Sequence, residues 1–234
     1  MNMGLVNHKL SEYEKSLENY KKSSKIAKEA NDIRVLSFLH GNFGLLYTDM
    51  GDIEHALEEF QSAKKIFEQM NETRGLALNK YDISKILFFK NESIKSIPLL
   101  KDASKTLKKL GDLPYYSKSM LSLAMTQRIT EHVDEAMQTI NNLEKNLKIL
   151  SDITKERLYI EKAIIIFSEN KNLNDLIKLA NTTKSNANKA YIYYNIWLYT
   201  SNEQFKDKAI DIFNKLYLEK PKYRFKHFIN KLSQ

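Results

Sequence analysis

The feature that most constrains this chain is a 40-residue repeat of small and large side chains. The segments 11–24, 51–64, 91–104 and 131–144 align without gaps, and each carries a small and a large residue at the same two places. The small column contains Ser16, Ala56, Ser96 and Ala136, and the large column, four residues later, contains Tyr20, Phe60, Leu100 and Ile140. Repeats of this length are units that bury their apolar faces against each other, so the chain is predicted to be a stack of them.

Each unit is predicted to be a pair of antiparallel helices, A and B. A further small column belongs to helix A and contains Gly4, Gly44, Ser84 and Ala124. Between units, a turn or cap residue precedes an acid that suits a helix N-terminus, at Asn31-Asp32, Asn71-Glu72, Gly111-Asp112 and Ser151-Asp152. Small side chains let the two helices approach, whereas large ones such as Tyr47 and Phe60 fill the groove towards neighbouring units. A single pair cannot bury both of its apolar faces, so the pairs must stack.

The composition supports helices and excludes several kinds of chemistry. Only 6 Gly and 3 Pro interrupt the 234 residues, which argues against an all-β fold. The chain has no Cys, so disulfides, thiolate catalysis and Cys-based metal sites are excluded. The 5 His residues are scattered, and no glycine-rich phosphate loop or nucleophile motif occurs. We therefore predict no catalytic residues, no cofactor and no metal site.

The small and large columns resemble the tetratricopeptide repeat. One unit matches all six of that motif's small and large positions, with Gly44, Tyr47, Ile53, Ala56, Phe60 and Ala63. The 40-residue spacing is similar to the longer-helix variant found in kinesin light chains, cortical-polarity adaptors and peptide-sensing regulators of Gram-positive bacteria. The resemblance implies an all-α fold, a right-handed α-solenoid of about six helix pairs followed by a C-terminal capping helix.

The resemblance divides residues 1–234, a single solenoid, into successive units. Their expected bounds are 1–30, 31–70, 71–110, 111–150, 151–185 and 186–220, with the cap at 221–234. The pattern loosens after residue 150, where Ile164 and Leu176 stand at places expected to be small. The cap is predicted to be an amphipathic helix with a basic face towards solvent, and a helix that contacts phosphate or a membrane is the alternative.

The resemblance also implies that the A helices line a concave groove that binds a partner. The predicted contact residues are Asn42, Leu45, Asp49, Tyr81, Asp82, Lys85, Phe88, Phe89, Leu121, Ser122, Met125 and Arg128. An Asn side chain donates and accepts hydrogen bonds at once, which suits a peptide bond, and the resemblance implies this role for Asn42. Asp82 and Ser122 stand at the same place in the next two units. The competing interpretation is that the aromatic residues of this face pack against the neighbouring A helix or the interior of the superhelix.

The sequence leaves three functions open. The favoured one is an interaction module that binds a peptide or a helical segment of another protein in the groove, without catalysis. The second function is that of a sensor or regulatory part of a larger protein, because Met1 falls inside a repeat. Self-association through an uncovered N-terminal end is a further hypothesis. The third is nucleic-acid binding through the net charge of +8 and the basic tail, although solvated lysines on helix faces explain that charge better. Without a secretory signal or a run of about 18 apolar residues, a cytoplasmic protein with no membrane span is predicted.

Overall fold

The computed structural model describes residues 1–234 and consists of α-helices joined by short turns. In chain order the helices are α1 (Asn2–Lys9), α2 (Tyr13–Glu29), α3 (Ile33–Met50), α4 (Ile53–Gln69), α5 (Thr73–Phe89), α6 (Ser96–Lys109), α7 (Leu113–Ile129), α8 (Val133–Glu144), α9 (Asp152–Asn170), α10 (Asn174–Thr182), α11 (Asn186–Thr200), α12 (Glu203–Glu219) and α13 (Tyr223–Leu232). Short 3₁₀ turns precede α6 and α9, at Ser93–Lys95 and Leu147–Ile149. None of the helices combines the length and the apolar character needed to cross a membrane.

A left-handed residue ends each helix of the first half of the chain. These residues recur every 20 positions, at Ser11, Asn31, Gly51, Asn71, Asn91, Gly111 and Glu131. After α3, Gly51 N–H bonds to Thr48 O and Asp52 N–H to Tyr47 O, which satisfies carbonyls that the helix end leaves free. The Asp52 side chain then accepts the backbone N–H of His55 and caps α4. The same turn, used twice per unit, produces the 40-residue period.

The small and large columns meet inside each helix pair. Gly44 of α3 lies against the ring of Phe60 in α4, where an added Cβ would be 2.6 Å from a ring carbon. Ala56 and Phe60 are both fully buried. The small residues therefore make room for the large side chain of the partner helix, as well as for the close approach of the backbones.

Neighbouring helices pack in sequence order as six pairs followed by α13. This arrangement, with 13 helices and no strand, confirms the predicted class of an all-α helical-repeat solenoid.

The regular turn is lost after α8. Ser151, which stands at the place of the left-handed residue of the earlier turns, is extended with φ −64° and ψ 155°, and so is Leu150 before it, with φ −78° and ψ 145°. Ile164 and Leu176, which depart from the small columns, are both fully buried in the core of the second half of the chain. The loosened pattern after residue 150 therefore reflects a different packing with larger core side chains.

The last helix turns back towards the first half of the chain. Lys220 is extended and Pro221 lacks an N–H, so α12 cannot continue. One side of α13 caps α12, since Phe225 and Leu232 are buried and the rings of Phe228 and Phe213 stack with their centroids 5.1 Å apart. The opposite side of α13 contacts α3. The capping role is as expected, and Arg224 and Lys226 are exposed, as the predicted basic face requires. The side that carries Tyr223 and His227 packs against α5, which was not predicted.

Candidate functional site

The first helix of each pair, from α1 to α11, is the A helix of its unit. Helix α13 lies across the faces of α3 and α5. The space between α13 and the A helices from α3 to α11 is called the A-helix groove here. At its start, Lys222 Nζ donates to the carboxylate of Asp49 on α3. The Tyr13 hydroxyl donates to the carbonyl of Pro221 at 3.1 Å. The ring of Tyr223 covers Gly51, where an added Cβ would lie 2.5 Å from it. The final helix is therefore held by the first two units.

Aromatic rings join α13 to α5. The ring of His227 lies 5.2 Å from that of Phe88 and 5.1 Å from that of Phe89, measured between centroids, and Phe89 also meets Tyr223 at 5.3 Å. His227 is buried, and this burial, with a smaller contribution from Lys231, lowers its pKa to about 4. The imidazole is therefore neutral near pH 7 and acts as one more ring in an apolar contact.

A cavity of about 400 Å³ remains in the A-helix groove between α13 and helices α5, α7, α9 and α11, and is called the central cavity below. Seven of the twelve residues predicted from the sequence line it: Tyr81, Lys85, Phe88, Phe89, Leu121, Ser122 and Met125. The remaining wall includes Arg157, Glu161, Asn188, Tyr191, Arg224, Phe225 and Phe228. The cavity therefore combines an aromatic wall with a few polar and charged groups.

The lysine of the central cavity already has a carboxylate partner. Lys85 Nζ lies 2.7 Å from Asp82 Oδ1 and 5.2 Å from the centroid of the Tyr81 ring. Burial alone would lower the pKa of Lys85, but the Asp82 carboxylate outweighs it and raises this pKa above its usual value. This lysine stays protonated, and its charge is largely balanced.

Arg128 forms a buried network in which every guanidinium nitrogen has a partner. Its Nε donates to Glu161 Oε1 at 2.7 Å, Nη1 to the Tyr199 hydroxyl at 3.1 Å, and Nη2 to the Tyr191 hydroxyl at 3.0 Å. The Tyr191 hydroxyl in turn donates to the other oxygen of Glu161 at 3.2 Å. Burial opposes the charged form of Arg128, but Glu161 outweighs this and raises its pKa. Arg128 was predicted as a groove contact, and the structure places it in a pair that fixes α7, α9 and α11.

A second cavity of about 360 Å³, called the side cavity, lies on the other side of this network. Arg128 and His227 contribute to its wall. Phe88, Met125, Tyr191 and Phe228 line both cavities and separate them.

Of the other predicted residues, Asp82 reaches the central cavity only through its bond with Lys85, and Asn42, Leu45 and Asp49 do not line it. Leu45 packs against the core formed by Ala56, Phe60 and Ile86. Asn42 is half-buried and contributes to neither cavity wall. Burial would raise the pKa of Asp49, but its bonds with His8 and Lys222 hold this pKa below its usual value. The first two units therefore hold α13, and the next units build the cavity.

Sequence reasoning missed the part of the cavity wall that comes from α9, α11 and α13. Arg157 lies on α9, Asn188 and Tyr191 on α11, and Arg224 and Phe228 on α13. The unusually aromatic segment 190–200 was the one visible signal. No periodic column indicates that α13 returns to the groove.

The fold and the site define a class, an all-α helical-repeat protein with a ligand-sized cavity in its groove. The structure contains no group of three or more His, Cys, Asp or Glu side chains able to hold a metal ion. In comparisons with known proteins, neither a protein-family model nor a curated protein matches this chain.

Proposed function

We propose that this protein is an interaction module that binds a peptide segment of another protein in the A-helix groove, with side chains of the ligand in the central cavity. One observation carries the proposal: seven side chains from α5 and α7, selected by repeat position alone, line one cavity. Ligand sites are typically concave, mostly apolar and on the order of 300–1,000 Å³ in volume, with a few polar groups that orient the ligand. The central cavity, at about 400 Å³, has this character.

The occupant of the rest of the groove supports a peptide as the ligand. Helix α13 rests on α3 and α5 through aromatic rings and one ion pair, which are the contacts that a bound peptide segment makes. Within the cavity, Ser122 and Asn188 supply hydrogen-bonding groups beside the apolar wall. A volume of about 400 Å³ suits the side chains of a short segment and excludes a folded domain.

A cavity-filling substitution tests the proposal. Ser122→Trp places a large ring in the central cavity, and Ser62→Trp is the matched control, since Ser62 lies on α4 and lines neither cavity. The three proteins are incubated with a random octapeptide library, bound peptides are identified by mass spectrometry, and affinities are measured by fluorescence anisotropy. Circular dichroism and thermal melting confirm that each variant is folded.

The wild type and Ser62→Trp are expected to select the same peptides with equal affinity. Ser122→Trp is expected to bind them at least about tenfold more weakly, which corresponds to about 1.4 kcal/mol. Equal binding by Ser122→Trp would move the site away from the central cavity. Failure of the wild type to enrich any peptide would overturn the proposed function.

A further inference from the structure

We propose that the central cavity is an oxyanion site, in which a carboxylate of the ligand lies between Arg157 of α9 and Arg224 of α13 and the apolar part of the ligand packs on the aromatic wall. The inference rests on the proposed function, because it names the chemical class of the peptide that the cavity selects.

The charges that line the central cavity are unbalanced. They are Lys85, Arg157, Glu161 and Arg224. Asp82 balances Lys85, and Arg128 balances Glu161. Arg157 and Arg224 are exposed and form no ion pair, as is also true of Arg34 away from the cavity, whereas Arg74 and Arg128 each pair with a carboxylate. Two positive charges therefore remain at the cavity without a counter-ion from the protein.

Arg157 and Arg224 line the same cavity from two different helices. Desolvation lowers the pKa of Arg224, and the positive charge of Arg157 adds to this against the attraction of Asp49. An anion between the two guanidinium groups would replace this repulsion with two attractions. Arginine suits the task because its planar group binds a carboxylate through two parallel hydrogen bonds. The Arg224 guanidinium also stacks over Phe225, with 4.6 Å between its carbon and the ring centroid, which restricts its orientation.

The opposite wall indicates an organic ligand. Phe88, Phe89, Leu121, Met125 and Phe228 line the same cavity as the arginines. A bare inorganic anion would leave this surface in contact with water, whereas an acidic group with an apolar neighbour would cover it. An acidic residue beside an apolar residue, or an apolar residue at a free C-terminus, has this shape and charge.

Because the arginines come from different elements, binding is coupled to the position of α13. Arg157 is on the repeat scaffold, while Arg224 is on the helix that follows Pro221. A ligand that bridges them interacts fully only when α13 is docked. By linkage, the ligand then stabilises the docked helix as much as docking improves ligand affinity.

Two fluorescent probes with one aromatic body test the charge requirement. Anilinonaphthalene sulfonate carries an oxyanion, and N-phenylnaphthylamine has the same rings without it. They are titrated into the wild type, Arg157→Gln, Arg224→Gln and Arg34→Gln, where Arg34 is an exposed control that lines neither cavity. We expect each cavity variant to weaken sulfonate binding about tenfold and to leave the neutral probe unchanged, with no effect of Arg34→Gln. Equal sulfonate affinity in all four proteins, or equal losses for both probes, would overturn the oxyanion site.

Hydrogen exchange tests the coupling to α13. The sulfonate is expected to slow amide exchange of 223–232 in the wild type and not in Arg157→Gln, whose substitution lies outside that helix. A bound sulfonate that leaves exchange in this helix unchanged would contradict the coupling.

The peptide selection separates this inference from the proposed function. Peptides selected by the wild type should be rich in acidic groups and lose affinity in Arg157→Gln, and amidation of their C-termini shows whether a side chain or the terminus supplies the carboxylate. If the selected peptides show no preference for acidic groups but lose binding in Ser122→Trp, the proposed function is supported and the oxyanion site is refuted. Sulfonate binding that depends on the two arginines, with no peptide selected, would support the oxyanion site and refute the proposed function.

Discussion

Lys222 donates a hydrogen bond to the carboxylate of Asp49, a residue 173 positions earlier in the chain. His8 Nε2 lies 3.1 Å from the same carboxylate oxygen, so α1, α3 and the start of α13 meet at one acid. In a helical-repeat solenoid each unit normally contacts only its neighbours. The contact at Asp49 instead joins the end of the chain to its beginning and holds α13, which forms one wall of the central cavity.

Gly51 is predicted to stabilise the docked position of α13 as well as the turn that follows α3. Gly51 and Gly111 both have left-handed backbones, with φ 88° and 71°, so an alanine at either position should cost about 1 kcal/mol of unfolding free energy. An added Cβ meets Tyr223 at Gly51 and nothing within 4 Å at Gly111. Urea denaturation should therefore show a further loss of about 1–3 kcal/mol for Gly51→Ala alone.

Removing the ring that collides provides the control. In a double-mutant cycle, Tyr223→Ala should cancel the additional loss caused by Gly51→Ala and have no coupling with Gly111→Ala. Equal losses for the two glycine variants would show that Tyr223 does not rest on Gly51 in solution.

Replacing either of two glycines of α3 by alanine should change the free energy of unfolding, in opposite directions at the two positions. Gly41 has open space around an added Cβ, so Gly41→Ala should stabilise the helix by about 0.5–1 kcal/mol. At Gly44 the Cβ would meet the ring of Phe60, which is fully buried, so Gly44→Ala should destabilise the protein by about 1–3 kcal/mol. Thermal and urea unfolding measure both. A stabilised Gly44→Ala variant would contradict the close crossing of α3 and α4.

Breaking the buried pair of Arg128 and Glu161 should be costly. Their side chains are 1% and 7% exposed, so Glu161→Gln leaves a buried cation without its counter-charge and should reduce the unfolding free energy by about 3–5 kcal/mol. The pair of Lys215 and Asp211 has the same 2.7 Å separation but is 68% and 60% exposed. Asp211→Asn should therefore change stability by less than about 1 kcal/mol.

A double replacement checks the physical reason. Arg128→Met with Glu161→Leu removes both charges and should be less destabilising than Glu161→Gln alone. A double variant that is as unstable as the sum of the single ones would show that the two residues do not act as a pair.

The buried histidine of α13 should make stability depend on pH. Because the pKa of His227 falls from 6.5 to about 4 on folding, the unfolded chain takes up this proton first as the pH decreases. The stabilisation is complete above about pH 6.5 and is lost between about pH 6.5 and 4, by no more than about 3 kcal/mol. The charged group that shifts this pKa is Lys231 on the same helix, while the rings of Phe88 and Phe89 face it from α5 without charge.

His227→Gln isolates this titration from that of the carboxylates. The difference in unfolding free energy between the wild type and His227→Gln, measured by urea denaturation from pH 4 to 8, should decrease as the pH falls. A difference that stays constant over this range would place His227 in contact with water.

The repeat and the helix pairs could be predicted from the sequence because they depend on nearby residues. The turn at Gly51, the acid cap at Asp52 and the crossing of Gly44 with Phe60 are all formed within one unit, so they appear as columns at fixed spacing. Repeat position also placed Tyr81, Ser122 and their neighbours on one face, and the structure brings seven of these side chains to one cavity.

The position of α13, the burial of Arg128 and the placement of Arg157 and Arg224 on one cavity were decided only by the tertiary structure. The amphipathic pattern of α13 shows that it has an apolar side, but not which distant helices cover the other. That depends on small rotations between successive helix pairs, summed over all six, and on the altered turn at Leu150. The repeat columns of the sequence contain no information on this summed rotation. The groove covered by α13, and the two arginines without ion pairs that line its cavity, therefore exist only in the folded chain.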